Sequence, residues 1–311
     1  MELGGASAAA EKELAKIPGF RIADAGAKGL GVFALRQFHR GDLIVSEPPL
    51  FSLRDGGGNF AVLSAIRGLS PEKLQQYESL VNAHAESGRF EDPLMGIFWT
   101  NSFQMDQDHS GIFVQASRFN HSCSPNARYS WNPAINRFRI YALRDIACGD
   151  EILVSYLSSR NVYGSTHAAR QARLARYAFT CACVVCGLPE PAAAASDRRR
   201  MKITELWESV PQFPPNQTRN RLLAVKRAIH LLEEEGYVAD YDDFTNDAAA
   251  ICGFHSDWAS AKYWAAKTYE TRVAEFGEDS YRAEEVKAMF LDPKSGPMAG
   301  MGPRQKFDVR L

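Results

Sequence analysis

The chain has 311 residues, 45% of them hydrophobic and 23% charged, with 36 Lys and Arg against 37 Asp and Glu. A formal net charge of -1 gives no global field for phosphates, which argues against sequence-specific nucleic-acid binding by the chain as a whole. These are the proportions of a globular protein with one large domain or two ordinary ones.

Met1 to Lys16 is rich in Ala, Gly and Glu. It lacks a basic start and a long apolar run, so it does not read as a secretory signal, and residues 1–17 are expected to be flexible. Nowhere do 18 apolar residues run together, so no membrane partner is expected. Six cysteines without a secretion signal point to a reducing compartment, where clustered thiols hold metal more often than they pair as disulfides.

From Phe20 to Leu53 the pattern is strand-like, with short apolar runs at residues 29–35 and 42–46 around a turn at His39 to Asp42. Three glycines, Gly56 to Gly58, break the chain. Residues 59–104 are helical in character, with Ser70-Pro71-Glu72 as a helix start. Strand signals return at residues 111–115, 127–131, 137–141 and 151–155, short and alternating, as in small half-buried sheets. A Pro/Ala-rich stretch from Pro189 to Asp197 reads as a linker. Beyond it, Arg221 to Glu235 has apolar residues at helical spacing and stops at Gly236. Ser256-Asp257 caps a further helix that runs to Phe276, and another follows Ser280. The Gly/Pro-rich stretch from about Ser295 is expected to be poorly ordered.

Four segments carry chemistry. Lys28-Gly29-Leu30-Gly31 allows close backbone approach to a ligand, although Gly-x-Gly alone is an ordinary turn. Arg118 to Asn126 sets Asn120 and His121 in an apolar neighbourhood. Glu151 to Tyr156 is a strand that ends in a phenol able to orient an amine. Cys181, Cys183 and Cys186 form C-x-C-x-x-C, one soft ligand short of a closed tetrahedral zinc site, and Cys123 is the candidate fourth. Cys148 and Cys252 read as ordinary thiols.

In order and spacing these segments resemble those of the SET domain, the fold of lysine methyltransferases, over residues 18–187. The helical tail resembles that of the SET-and-MYND family and its short fungal relatives. The insert carries His84 and His109 but no cysteine, so the MYND zinc finger is lacking. The resemblance implies an α+β fold, a β-clip of small sheets with a pseudoknot. It would comprise a SET domain over 18–158 with a helical insert at 59–110, a post-SET zinc segment at 159–188, TPR-like helices at 198–294 and a flexible tail at 295–311. It implies S-adenosylmethionine along Lys28, Gly29, Leu30 and Gly31, held by Asn120 and His121 and covered by Tyr177 and Phe179. Tyr156 is the catalytic residue it implies, and a structural zinc ion sits on Cys123, Cys181, Cys183 and Cys186. The implied activity is protein-lysine N-methyltransfer by in-line displacement, with a protein substrate, histones among the candidates. Alternatives are a SET-fold enzyme acting on a small molecule or free amine, and a silent module that binds proteins. A monomer is expected, in the cytoplasm, the nucleus or both; Arg198 to Lys202 is a basic run that could serve nuclear import.

Overall fold

A computed structural model describes residues 19–307 apart from residue 238; the side chains of residues 160 and 215 are not described. The expectation for residues 1–17, and that for 308–311, lie outside the described residues.

The first half is built from four small sheets. β1 (Phe20–Asp24) and β2 (Leu30–Ala34) form a hairpin. β3 (Leu43–Glu47) pairs with β9 (Arg137–Ala142), which pairs with β8 (Ala127–Asn132). β4 (Phe51–Arg54) and β5 (Ser102–Gln104) flank β6 (His109–Ile112). β7 (Asn120–His121) and β10 (Leu153–Val154) pair in parallel. The mixed α+β class and the small sheets are as the sequence predicts. The parallel pair brings the central motif against the strand leading to Tyr156, and Asn126 fastens the two. Its amide donates to the Glu151 carbonyl at 2.9 Å and accepts from the Leu153 N–H at 2.7 Å.

Strand alternation sorts the side chains of β8 and β9. Tyr129, Trp131, Phe138 and Ile140 face a core with Phe113 and Phe119, while Arg128 and Arg139 point the other way, toward the C-terminal helices. Glu47, buried at the end of β3, accepts from the N–H groups of Gln115 and Ala116 at 3.1 and 2.6 Å. It thereby satisfies the donors of the turn that enters the central motif.

The insert is helical only in part. α1 (Gly58–Arg67), α2 (Pro71–Glu78) and α3 (Pro93–Asn101) enclose a small core around Ile66, Tyr77 and Phe98, and then the chain returns to β5 and β6. Ser70 caps α2 as its sequence indicates. Two helices that the sequence reading did not separate follow β10: α4 (Ser159–Tyr163) and α5 (His167–Leu174).

The stretch read as a linker is a correction. α6 (Ala192–Ser209) begins inside it, because Ala192 to Ala195 are strong helix formers placed directly after a proline. α7 (Thr218–Glu234), α8 (Asp242–Phe254), α9 (Trp258–Phe276) and α10 (Tyr281–Leu291) complete the helical region, with Asp257 and Ser280 capping α9 and α10. The tail also differs from expectation over residues 295–307. Its backbone N–H groups at Gly300, Gly302 and Gln305 donate to carbonyls at residues 253–255, and Phe307 is buried. A strap bonded along its length is ordered despite its glycines, because its backbone groups have partners.

Candidate active site

Residues 25–29 form a tight loop closed by the Ala25 N–H to Gly29 O bond (2.7 Å), with Gly29 at φ +73°. Such a φ favours glycine. Gly31 is needed for a different reason. A Cβ there would lie 2.8 Å from Glu151 Oε1 and 2.9 Å from Asn120 Nδ2. Asn120 Nδ2 donates to Leu30 O at 3.0 Å and to Glu151 Oε1 at 2.9 Å, and Lys28 pairs with Glu151 Oε2. Lys28, Gly29, Leu30, Gly31 and Asn120 thus share one polar corner, and Glu151 is its hub. Glu151 heads the Glu151-x-x-x-x-Tyr156 segment but was not singled out as a site residue. Its signal was a carboxylate at a motif boundary, which proximity in sequence alone does not assign.

The second group is aromatic. The ring of Tyr156 lies 5.0 Å from that of Tyr177, 5.3 Å from His121 and 6.2 Å from Phe179, centroid to centroid. A short 3-10 turn (Ala175–Tyr177) ends in Ala178 at φ 57°, a left-handed corner that lets Tyr177 and Phe179 both reach Tyr156. Tyr156 donates to the Phe119 carbonyl at 2.7 Å. Burial, with the phenols of Tyr177 and Tyr129 and the carboxylate of Glu151 nearby, pushes its ionisation well above the usual tyrosine range. Tyr156 is therefore a neutral phenol at physiological pH, a hydrogen-bond donor and not a base. Tyr129 on β8 is a pocket neighbour that the sequence did not single out; strand alternation aims it there.

The His121 ring is held by the chain itself. Its Nδ1 accepts from the Tyr156 backbone N–H at 2.9 Å, so Nε2 carries the proton and donates toward Cys123 Sγ at 3.4 Å. The buried imidazole ties the chain at Tyr156 to the cysteine cluster.

The third group is metal-like. Cys123, Cys181, Cys183 and Cys186 bring their sulfurs within 4.8 Å of one another, with Cys186 and Cys123 at 3.6 Å. Four thiolates around zinc at ~2.3 Å stand about 3.8 Å apart, so the cluster fits a closed structural site. Without a dication the crowded thiols must share protons. Hydrogen bonds, that of Cys123 first, hold Cys183 down to about 5, while those of its neighbours push Cys123 well up. A metal would resolve this by taking four thiolates. Gln171 on α5 exchanges two hydrogen bonds with the Cys181 backbone, at 2.7 and 2.9 Å.

Two buried arginines support the cluster; the sequence marks Arg200 only as part of a basic run and does not mark Arg170. Burial works against the charge of Arg170, but the thiols of Cys123 and Cys186 hold its ionisation above the usual range. Arg200 on α6 donates to the Cys123 carbonyl at 3.3 Å and the Val162 carbonyl at 2.5 Å, and pairs with Glu235 at 2.8 Å. The basic run at 198–202 is thus partly spent inside the protein, Arg199 and Arg200 both being paired to Glu235. Cys252 is buried and pushed up to about 12, and Cys148 is exposed, both apart from the cluster.

Small sheets around a parallel pair, a glycine cradle, a buried neutral tyrosine and a cluster of four cysteines fit a methyltransferase of the SET type. Residues 29–157 match the model of the SET domain. It is 28% identical over 275 residues to "Histone-lysine N-methyltransferase set5" of Schizosaccharomyces pombe, covering 88% of this chain and 83% of that protein. It is 40% identical over 79 residues to "Protein-lysine N-trimethyltransferase SMYD5" of Gallus gallus, but spans only 18% of that protein and 25% of this one. A solved structure from Plasmodium falciparum covers 46% of this chain at 21% identity, with a TM-score of 0.29, too low to bear on the fold.

Proposed function

We propose that this chain is an S-adenosylmethionine-dependent protein-lysine N-methyltransferase. The observation that carries the reading is Tyr156, a neutral phenol fixed to the Phe119 carbonyl among aromatic rings, with the carboxylate of Glu151 nearby. S-adenosylmethionine, when bound, supplies a methyl group activated by a sulfonium.

The rest falls to the protein. Lys28, Gly29, Leu30 and Gly31 with Asn120 offer a backbone and amide surface for an amino-acid moiety, and Phe179 covers it. His121 acts through its fixed ring, which sets the position of Tyr156. Tyr156 and the Phe119 carbonyl accept from the two N–H groups of a neutral amine and aim its lone pair, which is worth much of the barrier. Free lysine is neutral about once in a thousand molecules at pH 7.4. A pocket walled by Tyr129, Tyr156 and Tyr177 disfavours the ammonium, and the proton leaves to water before transfer. A zinc ion held by Cys123, Cys181, Cys183 and Cys186 would be structural, with no open position.

Histones are the first substrates to try, since the Schizosaccharomyces relative is named for them. Residence in the nucleus or cytoplasm fits such a substrate. No described helix is long and apolar enough to cross a membrane. The test is incubation with labelled S-adenosylmethionine and a proteome extract, followed by mass spectrometry of the labelled species. Label on a protein lysine is the expected result. Label only on small molecules, or none despite bound cofactor, would overturn it.

A further inference from the structure

The rim of the aromatic pocket carries a cation with no part in the chemistry so far. Arg176 sits in the 3-10 turn directly before Tyr177. Its guanidinium lies 4.6 Å from the Tyr177 ring centroid, and Nη2 donates to the Tyr177 hydroxyl. Among the described residues no carboxylate is paired with it. Arg128, Arg139, Arg200 and Arg272, by contrast, are each held by an acid. Arg176 is exposed, so solvent bears the cost of its charge, yet the charge is fixed in place by a hydrogen bond and a ring face.

Its location gives that charge a use. The Tyr177 and Tyr156 ring centroids are 5.0 Å apart, so the guanidinium lies within about 10 Å of the centre of the Tyr156 ring. Its field enters the pocket. The ionisation of Tyr129 is raised first by burial, raised further by Tyr177, and eased downward by Arg128 and Arg176. The other groups facing this space are accounted for. Tyr156 is neutral, His121 is bonded at both nitrogens, and Glu151 is paired with Lys28 on the cradle side. Arg128 lies on the opposite face of β8, between Asp240 and Glu275.

We propose that Arg176 is a positioning residue that repels the ammonium form of an incoming lysine and admits the neutral amine, while bracing Tyr177 as the pocket wall. This rests on the methyltransferase reading above. A unit charge at this distance, partly screened by water, favours loss of the amine proton by about half a pH unit. No new bond is made; the proton passes to water before the methyl group moves.

The experiment uses the full chain and, as substrate, the protein labelled in the extract. Turnover at saturation is followed from pH 6.5 to 9.5 for wild type, Arg176→Gln and Arg176→Lys, because saturated turnover reports ionisation in the complex. Arg176→Gln should move the alkaline rise of turnover up by about half a pH unit, lowering turnover near pH 7.5 about threefold. Its KM should not rise, and S-adenosylmethionine affinity by calorimetry should stay at the wild-type value. Arg176→Lys should keep the wild-type profile. A uniform loss of turnover at every pH would reduce Arg176 to a structural prop for Tyr177 and overturn the proposal, as would an unchanged profile. A wild-type protein that transfers no methyl group to lysine would bring down the function first, and this role with it.

Discussion

Tyr156 shows how a single residue is assigned by its surroundings. As a letter it is a tyrosine at the end of a strand, a common core residue. In place, its hydroxyl donates to Phe119 O, and burial keeps it protonated far above neutral pH. Replacing it by Phe removes the hydroxyl that the proposed reading uses to orient the amine but leaves the cradle at Gly29–Gly31 and Asn120 untouched. Tyr156→Phe should therefore lower turnover at least about tenfold, while S-adenosylmethionine affinity stays near wild type, as checked by radiolabel kinetics and calorimetry. Unchanged turnover would remove Tyr156 from its role. His121 makes the converse point. A histidine in a catalytic-looking motif invites a ligand role, yet both of its nitrogens are occupied by the chain.

At the scale of the element, the segment from Ala175 to Cys186 is a turn that leads into the cysteine cluster, and in the proposed reading it is the lid of the site. It has little regular structure of its own, so its order depends on what fastens it. Gln171 holds Cys181 at one point, and the four cysteines would hold the rest through a metal. Stripping the metal with a chelator should raise amide exchange over residues 177–186 and weaken S-adenosylmethionine binding, with exchange in α7 to α9 unchanged. Mass spectrometry of exchanged peptides checks this; wild-type exchange and affinity in a metal-free protein would end the clasp role. α6 follows the same logic on a larger scale. Its alanines make the helix, and Arg200 fixes it to the carbonyl of Cys123, 77 residues earlier.

Across the whole molecule, the C-terminal helices are bolted to the sheet by buried charge. Arg128 on β8 meets Asp240 at 2.5 Å and Glu275 at 2.6 Å, and Arg139 on β9 pairs with Asp279. One guanidinium cannot compensate two buried carboxylates fully. Asp240 is held low despite its burial, chiefly by Arg128, whereas burial pushes Glu275 up to about 8. The folded state then keeps a proton on Glu275 that the unfolded chain, at an ordinary value of ~4.3, has released. Stability contributed by that proton is present below the unfolded value and is lost as pH rises toward 8. Thermal melts should show wild type losing stability between about pH 5 and 8 relative to Glu275→Gln, whose side chain cannot ionise; parallel curves would refute the linkage. Much of this was legible in the sequence. Helix α2 with its Ser70 cap, the period of α7, and the strands at 127–132 and 137–142 follow from local rules of turn, cap and alternation. So did the family resemblance, since its motifs are runs of adjacent residues. What only the tertiary structure decided is long-range. It decided the parallel pairing of β7 with β10, the direction of the His121 ring, Glu151 as hub of the cradle, and the grip of Arg128 and Arg200 on distant segments. It also decided the order of the tail to Phe307. Periodicity records which face of an element is apolar, but it carries no record of which partner, a hundred residues away, that face or charge will meet.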